Sequence, residues 1–186
     1  MFNQGQEEGR VLNCKIIAGE VRIANVADFL SLLKSIAHKY AVTIQAMNAE
    51  LIAGEEHITA AVMKALRAME EGRNITSDLS LEILLYAAGK RQIERAFAIG
   101  VSEGDNKVAI VIVDTTAGND LAVVADEVKR KTGLEEAPVH ELDYNNAKKE
   151  KLKRFFNITE AEINAVGEKK LKMLVLERVA LLDVLK

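Results

Sequence analysis

From Leu79 to Ala88 the chain is apolar on nearly every side, with Glu82 its one charged residue. A helix of that kind is stable only where neighbours cover it all round. The segment is therefore expected to be the central helix of the fold, and the rest of the chain has to supply elements to wrap it. Gly89 stands where a glycine ends a helix in the left-handed region. Ile93, Ala96 and Phe97 start another helix almost at once, so two helices are expected to meet at an elbow running from Tyr86 to Ile93.

The surrounding segments alternate in type. Val11 to Ile17, followed by Ala18 to Ile23, reads as an early strand or a short hairpin turning at Gly19. Val26, Phe29, Leu30, Leu33, Ile36, Ala37 and Tyr40 share one helix face by their three-and-four spacing, and Val42 to Met47 returns as a strand. Ile58, Ala61, Val62, Ala65, Leu66 and Met69 form a second helix face, which starts behind Gly54 and two glutamates and stops at Gly72. Val108 to Val113 is a buried strand by its β-branched content. Leu121, Val124, Ala125 and Val128 mark a helix ended by Gly133, and a last strand is expected over Val139 to Leu142. Thr159 and Glu162 fit a capping box that opens a helical C-terminus, with a bend at Gly167. The order lacks strict βα alternation. An α/β fold is predicted, with a mixed or antiparallel central sheet packed with several helices. Residues 1–10 read as a polar, frayed leader and 11–186 as one domain, because Pro138 is the one proline and no Ser/Gly-rich linker interrupts the chain.

Composition narrows the function classes. Lys and Arg number 25 against 28 Asp and Glu, a net charge of −3, which excludes a uniformly basic nucleic-acid-coating protein. The single cysteine, Cys14, removes a disulfide framework, and His38, His57 and His140 lack metal-ligand spacing among themselves. No apolar run approaches the roughly 20 residues of a membrane span, and the start of the chain lacks the form of a secretory signal. A cytoplasmic chain without cofactor, metal or membrane contact is the expectation. Phosphate loops, dinucleotide fingerprints and nucleophile elbows are absent from the sequence.

Five features bear on function, each with a plain structural reading beside the functional one. His57 and Glu82 would serve a small-molecule enzyme as an acid/base pair, or are simply a first-turn histidine and a paired core carboxylate. Cys14 is a packed thiol or a nucleophile. Lys90 and Arg91 sit just before a helix start, where positive charge opposes the dipole by about 0.3–1 kcal/mol unless an anion such as phosphate joins them. Otherwise Arg91 pairs with Glu82 or another carboxylate and ties two helices. From Asn145 to Asn157, Lys148, Lys149, Lys151, Lys153 and Arg154 outweigh Glu150. That is a solvated basic helix, or one whose Phe155 and Phe156 stack on RNA. In the C-terminal helix, Leu171, Leu174, Val175, Leu182 and Leu185 make one stripe. Met173, Leu176, Val179, Ala180 and Val184 spread round the other side, to be covered by the chain's own loops or by a partner protein.

The stretches Ile44–Ala49, Ile52–His57 and above all Leu81–Ile93, with Leu-Glu-Ile-Leu-Leu-Tyr-Ala-Ala-Gly-Lys-Arg-Gln-Ile, resemble the kinase-binding subunit of the KEOPS complex, the TPRKB or PRPK-binding protein family. The closing Leu176–Leu182 is similar to the end of its archaeal members. The resemblance implies a non-catalytic subunit that docks on the complex's small PRPK-type kinase/ATPase, in a complex that installs threonylcarbamoyl-adenosine in tRNA. It also implies recruitment of tRNA by its single-stranded CCA end, RNA and not DNA being the nucleic acid. On this reading Lys90, Arg91 and Gln92 face the tRNA end with His57 and Asn48 as neighbours, and Met173, Leu176, Val179 and Ala180 are the first choice for the kinase contact. Splayed single strands are read by donors and an apolar slot and not by a long basic groove, which suits a net charge of −3.

Overall fold

Val108–Val113 is buried along its whole length. Val108, Ile110 and Ile112 enter one core with Phe29, Leu33 and Val124, while Ala109, Val111 and Val113 enter a second with Ile83 and Tyr86. Antiparallel strands commonly keep one wet face. Here helices cover both faces, so the polar alternation disappears and the strand reads as a continuous apolar run. The computed structural model describes residues 12–142 and 146–185, and the expected leader at 1–10 lies outside them.

The sheet contains β1 (Cys14–Ile23), β2 (Thr43–Asn48), β3 (Gly104–Val113) and β4 (Glu135–Glu136) in the order β2-β3-β1-β4. Every neighbouring pair is antiparallel; Ile110 of β3 pairs with Ile17 of β1 and with Ala46 of β2. Of the two readings of the early segment the single strand holds, and the expected last strand is corrected. β1 runs straight through Gly19 without a hairpin, because its residues pair with β3 from end to end. The glycine is needed for a close approach: a Cβ there would lie 2.0 Å from the Glu135 carbonyl oxygen, so a larger residue would push β4 off the edge. The last strand is Glu135–Glu136 and not Val139–Leu142. Backbone pairing with Gly19 and Glu20 makes it a strand, while Val139 and Leu142 lie in a turn that packs on the core.

On one face of the sheet lie α1 (Val26–Tyr40) and α5 (Leu121–Thr132); the other carries α2 (Glu55–Glu70), α3 (Leu79–Ala88), α6 (Asn146–Phe156) and α8 (Leu171–Leu185). The short α4 (Ile93–Ala96) and α7 (Glu160–Val166) connect them. α3 is the central helix as expected. It is buried from Glu82 to Ala88, with Asp78 capping its start through the Ser80 N–H. Thr159 and Glu162 form the full capping box of α7, and the bend at Gly167 is a complete break, with a 3₁₀ turn before α8. Among the described residues no helix is long and apolar enough to cross a membrane.

Candidate functional site

The elbow after α3 is built by local backbone chemistry. Gly89 adopts φ +61, its N–H donates to the Tyr86 carbonyl at 3.0 Å, and the Lys90 N–H donates to the Leu85 carbonyl at 3.1 Å. These two bonds satisfy the last carbonyls of α3 and turn the chain outward. α4 then begins behind Gln92 and lasts a single turn. The helix-dipole argument for an anion is corrected accordingly, since four residues align too few peptide dipoles to matter. What remains at the elbow are its side chains.

Lys90 is half-buried, with Nζ 5.7 Å from the centre of the Phe155 ring. Burial pushes its ammonium below the ordinary range, and the charges of Arg95 and Arg178 add to that. Three cations from α3–α4 and α8 therefore share one neighbourhood. Arg91 and Gln92 are exposed, and neither side chain has a hydrogen bond or ion pair with a described residue. Arg91 does not tie helices through Glu82, whose carboxylate accepts the backbone N–H groups of Ile75 and Thr76 at 3.0 and 3.1 Å.

His57 lies in the first turn of α2, as its plain structural reading has it, and departs from the place beside RNA that the resemblance implies. It is fully buried. Nδ1 accepts the Ala53 N–H at 3.1 Å, and Nε2 donates to the Ala87 carbonyl at 2.8 Å. Burial holds its pKa down to about 4. A neutral imidazole with both nitrogens engaged cannot touch RNA at the surface. It supports the elbow from beneath, because its ring packs edge-on against Phe156, which packs against Phe155 under Lys90. Its bonds and those of Glu82 go to different backbone segments, which offers no support to an acid/base pair. Asn48 is half-buried, and its side-chain oxygen accepts the Glu50 N–H at 3.0 Å. Cys14 is half-buried, and burial followed by the Glu55 charge pushes its thiol up, away from nucleophile behaviour.

The basic helix α6 is largely neutralised; its expected first residue, Asn145, lies outside the described residues. Lys148 donates to the Val139 and Glu141 carbonyls at 2.9 and 2.8 Å, and Lys151 pairs with Glu50 at 2.7 Å. Lys153 is buried among Glu150, Glu160 and Glu168 at 3.0, 3.5 and 3.1 Å. Phe156 is buried as well. Lys149 and Arg154 are the cations of this stretch without such partners among the described residues.

On α8, Leu171, Leu174, Val175 and Leu182 form the core stripe. Val179 joins them at 0% exposure, so its expected place in a kinase contact is corrected. Met173 at 60%, Ala180 and Val184 at 77% share the outward face, with Leu176 half-buried at its margin. Arg178 turns from this helix to Glu162 of α7 at 2.6 Å.

The model of the family described as kinase binding protein CGI-121 matches residues 22–183. The chain belongs to this family. The CGI-121 match includes α3, the elbow and α8 up to Asp183, and with them Asn48, His57, Lys90, Arg91, Gln92, Met173, Leu176, Val179 and Ala180. Among curated proteins the chain finds no match. Sequence periodicity missed the pairing of Lys90 with Phe155, and the signal that could have found it is the coincidence of a basic elbow with the Phe155–Phe156 pair.

Proposed function

We propose that this CGI-121 family member is a non-catalytic subunit of a KEOPS-type tRNA-modification complex. It binds the complex's small PRPK-type kinase through the outward face of α8 and recruits tRNA by its single-stranded CCA end at the elbow. The observation that carries the RNA half is Arg91, exposed and without a partner among the described residues, beside Lys90 held over Phe155. An exposed cation next to one held on an aromatic ring suits a phosphate flanked by an unstacked base. The kinase half rests on the family description and on the uncovered Met173 and Val184.

The test is a titration of four combinations, intact or CCA-trimmed tRNA against native or Arg91→Glu protein. Arg91→Glu lowers affinity strongly, trimming causes a similar loss, and the two losses do not add. Affinity falls with salt at a slope of about 0.7 per phosphate contact. Unchanged affinity in Arg91→Glu, or full additivity, moves the RNA site away from the elbow.

A further inference from the structure

The turn over Pro138–Leu142 brings His140 and Glu141 against Glu55, the first residue of α2. One ligand atom from each of the three lies within 4.8 Å of the other two. The His140 ring is mostly buried, its side chain 15% exposed, yet it makes no hydrogen bond to a described residue, and its Nδ1 is enclosed without a partner. Nε2 stands 3.4 Å from Glu141 Oε1. Adjacent ligand atoms on a tetrahedral zinc, with bonds of roughly 2.0–2.1 Å, are separated by about 3.4 Å.

The backbone that presents these groups is held in place. The Gly54 N–H donates to the His140 carbonyl at 3.0 Å, and the Lys148 ammonium donates to the carbonyls of Val139 and Glu141. The charge balance also favours a cation. Among the described residues neither Glu55 nor Glu141 makes an ion pair with a lysine or arginine; Lys172, the nearest to Glu141, pairs with Glu56 at 2.5 Å.

We infer that Glu55, His140 and Glu141 form a binding site for a divalent metal ion of the zinc type, with one coordination position left to solvent. An imidazole with two carboxylates selects zinc over magnesium, which prefers oxygen ligands in an octahedron and gives up its water reluctantly. A bound ion would pin the Pro138–Leu142 turn to the start of α2. These residues lie outside the elbow and the α8 face, so the inference stands apart from the proposed RNA and kinase contacts.

The experiment is equilibrium dialysis of the untagged full chain against zinc chloride, with metal content and melting temperature read together. Saturable uptake of one zinc per chain is expected, with a melting temperature that rises with zinc concentration. Affinity should fall at least tenfold in Glu55→Gln and uptake should vanish in His140→Ala, while magnesium gives neither effect. Glu55 is exposed, so Glu55→Gln decides the matter if His140→Ala fails to fold. Absence of saturable uptake, or uptake unchanged by Glu55→Gln, overturns the inference.

Discussion

Tyr86 in α3 donates its hydroxyl to Asp183 in α8 at 2.5 Å, and Lys64 of α2 reaches the other oxygen of the same carboxylate at 2.5 Å. One carboxylate thus joins the three helices beneath the elbow. Burial pushes the Asp183 carboxyl up, but the bonds from Lys64 and Tyr86 outweigh it and leave the group below its ordinary value. The stability contributed is present above the unfolded pKa and is lost as pH falls through the lower folded value. Tyr86→Phe is expected to cost about 1–2 kcal/mol in urea unfolding, since Asp183 keeps Lys64.

Gly89 is held at φ +61, and a Cβ there would lie 3.1 Å from the Arg178 carbonyl oxygen. Strain and crowding act together. Gly89→Ala is expected to lower stability by about 1–2 kcal/mol and the melting temperature by several degrees, whereas Gly72→Ala, with nothing near its Cβ, shows the smaller penalty of the left-handed backbone alone.

His57 is neutral in the fold, with its pKa lowered from 6.5 to about 4 by burial. Between those values the unfolded chain binds the proton that the folded chain refuses. Stability contributed by the neutral ring is therefore complete above pH 6.5, falls as pH drops toward 4 and levels below it. The loss is on the order of a few kcal/mol. His57→Gln should remove most of this slope in unfolding measured across pH, at the cost of lower stability at neutral pH.

Val179 and Met173 lie on one helix with opposite surroundings, 0% and 60% exposed. Val179→Glu buries an unpaired carboxylate and should unfold the chain or cost several kcal/mol. Met173→Glu should leave the melting temperature within a degree or two, as surface changes do.

The elements that could be read from sequence were those with local causes. Leu79–Ala88 is apolar all round because it is central, and Gly89 and the Thr159–Glu162 box are set by neighbours within a few residues. β4 was not readable, because Glu135 and Glu136 become a strand through backbone bonds to Gly19 and Glu20 and carry no apolar pattern. Val179 was misplaced because α8 is apolar round most of its circumference, so periodicity alone does not choose the buried face. The apparent charge of α6 was misleading for a similar reason: Glu50, Glu160 and Glu168, which neutralise Lys151 and Lys153, come from other elements. Glu55 and His140 meet only through the fold.

The proposed function gives one small chain two separable surfaces, α8 for a kinase and the elbow for RNA. The most direct measurement is affinity for a KEOPS-type kinase and for tRNA in the same preparations of native, Met173→Glu and Arg91→Glu protein, each shown to be folded. Met173→Glu is expected to weaken the kinase complex at least tenfold and leave tRNA binding unchanged, while Arg91→Glu does the reverse. Loss of both ligands in either folded variant, or kinase binding unaffected by Met173→Glu, would contradict the proposed function.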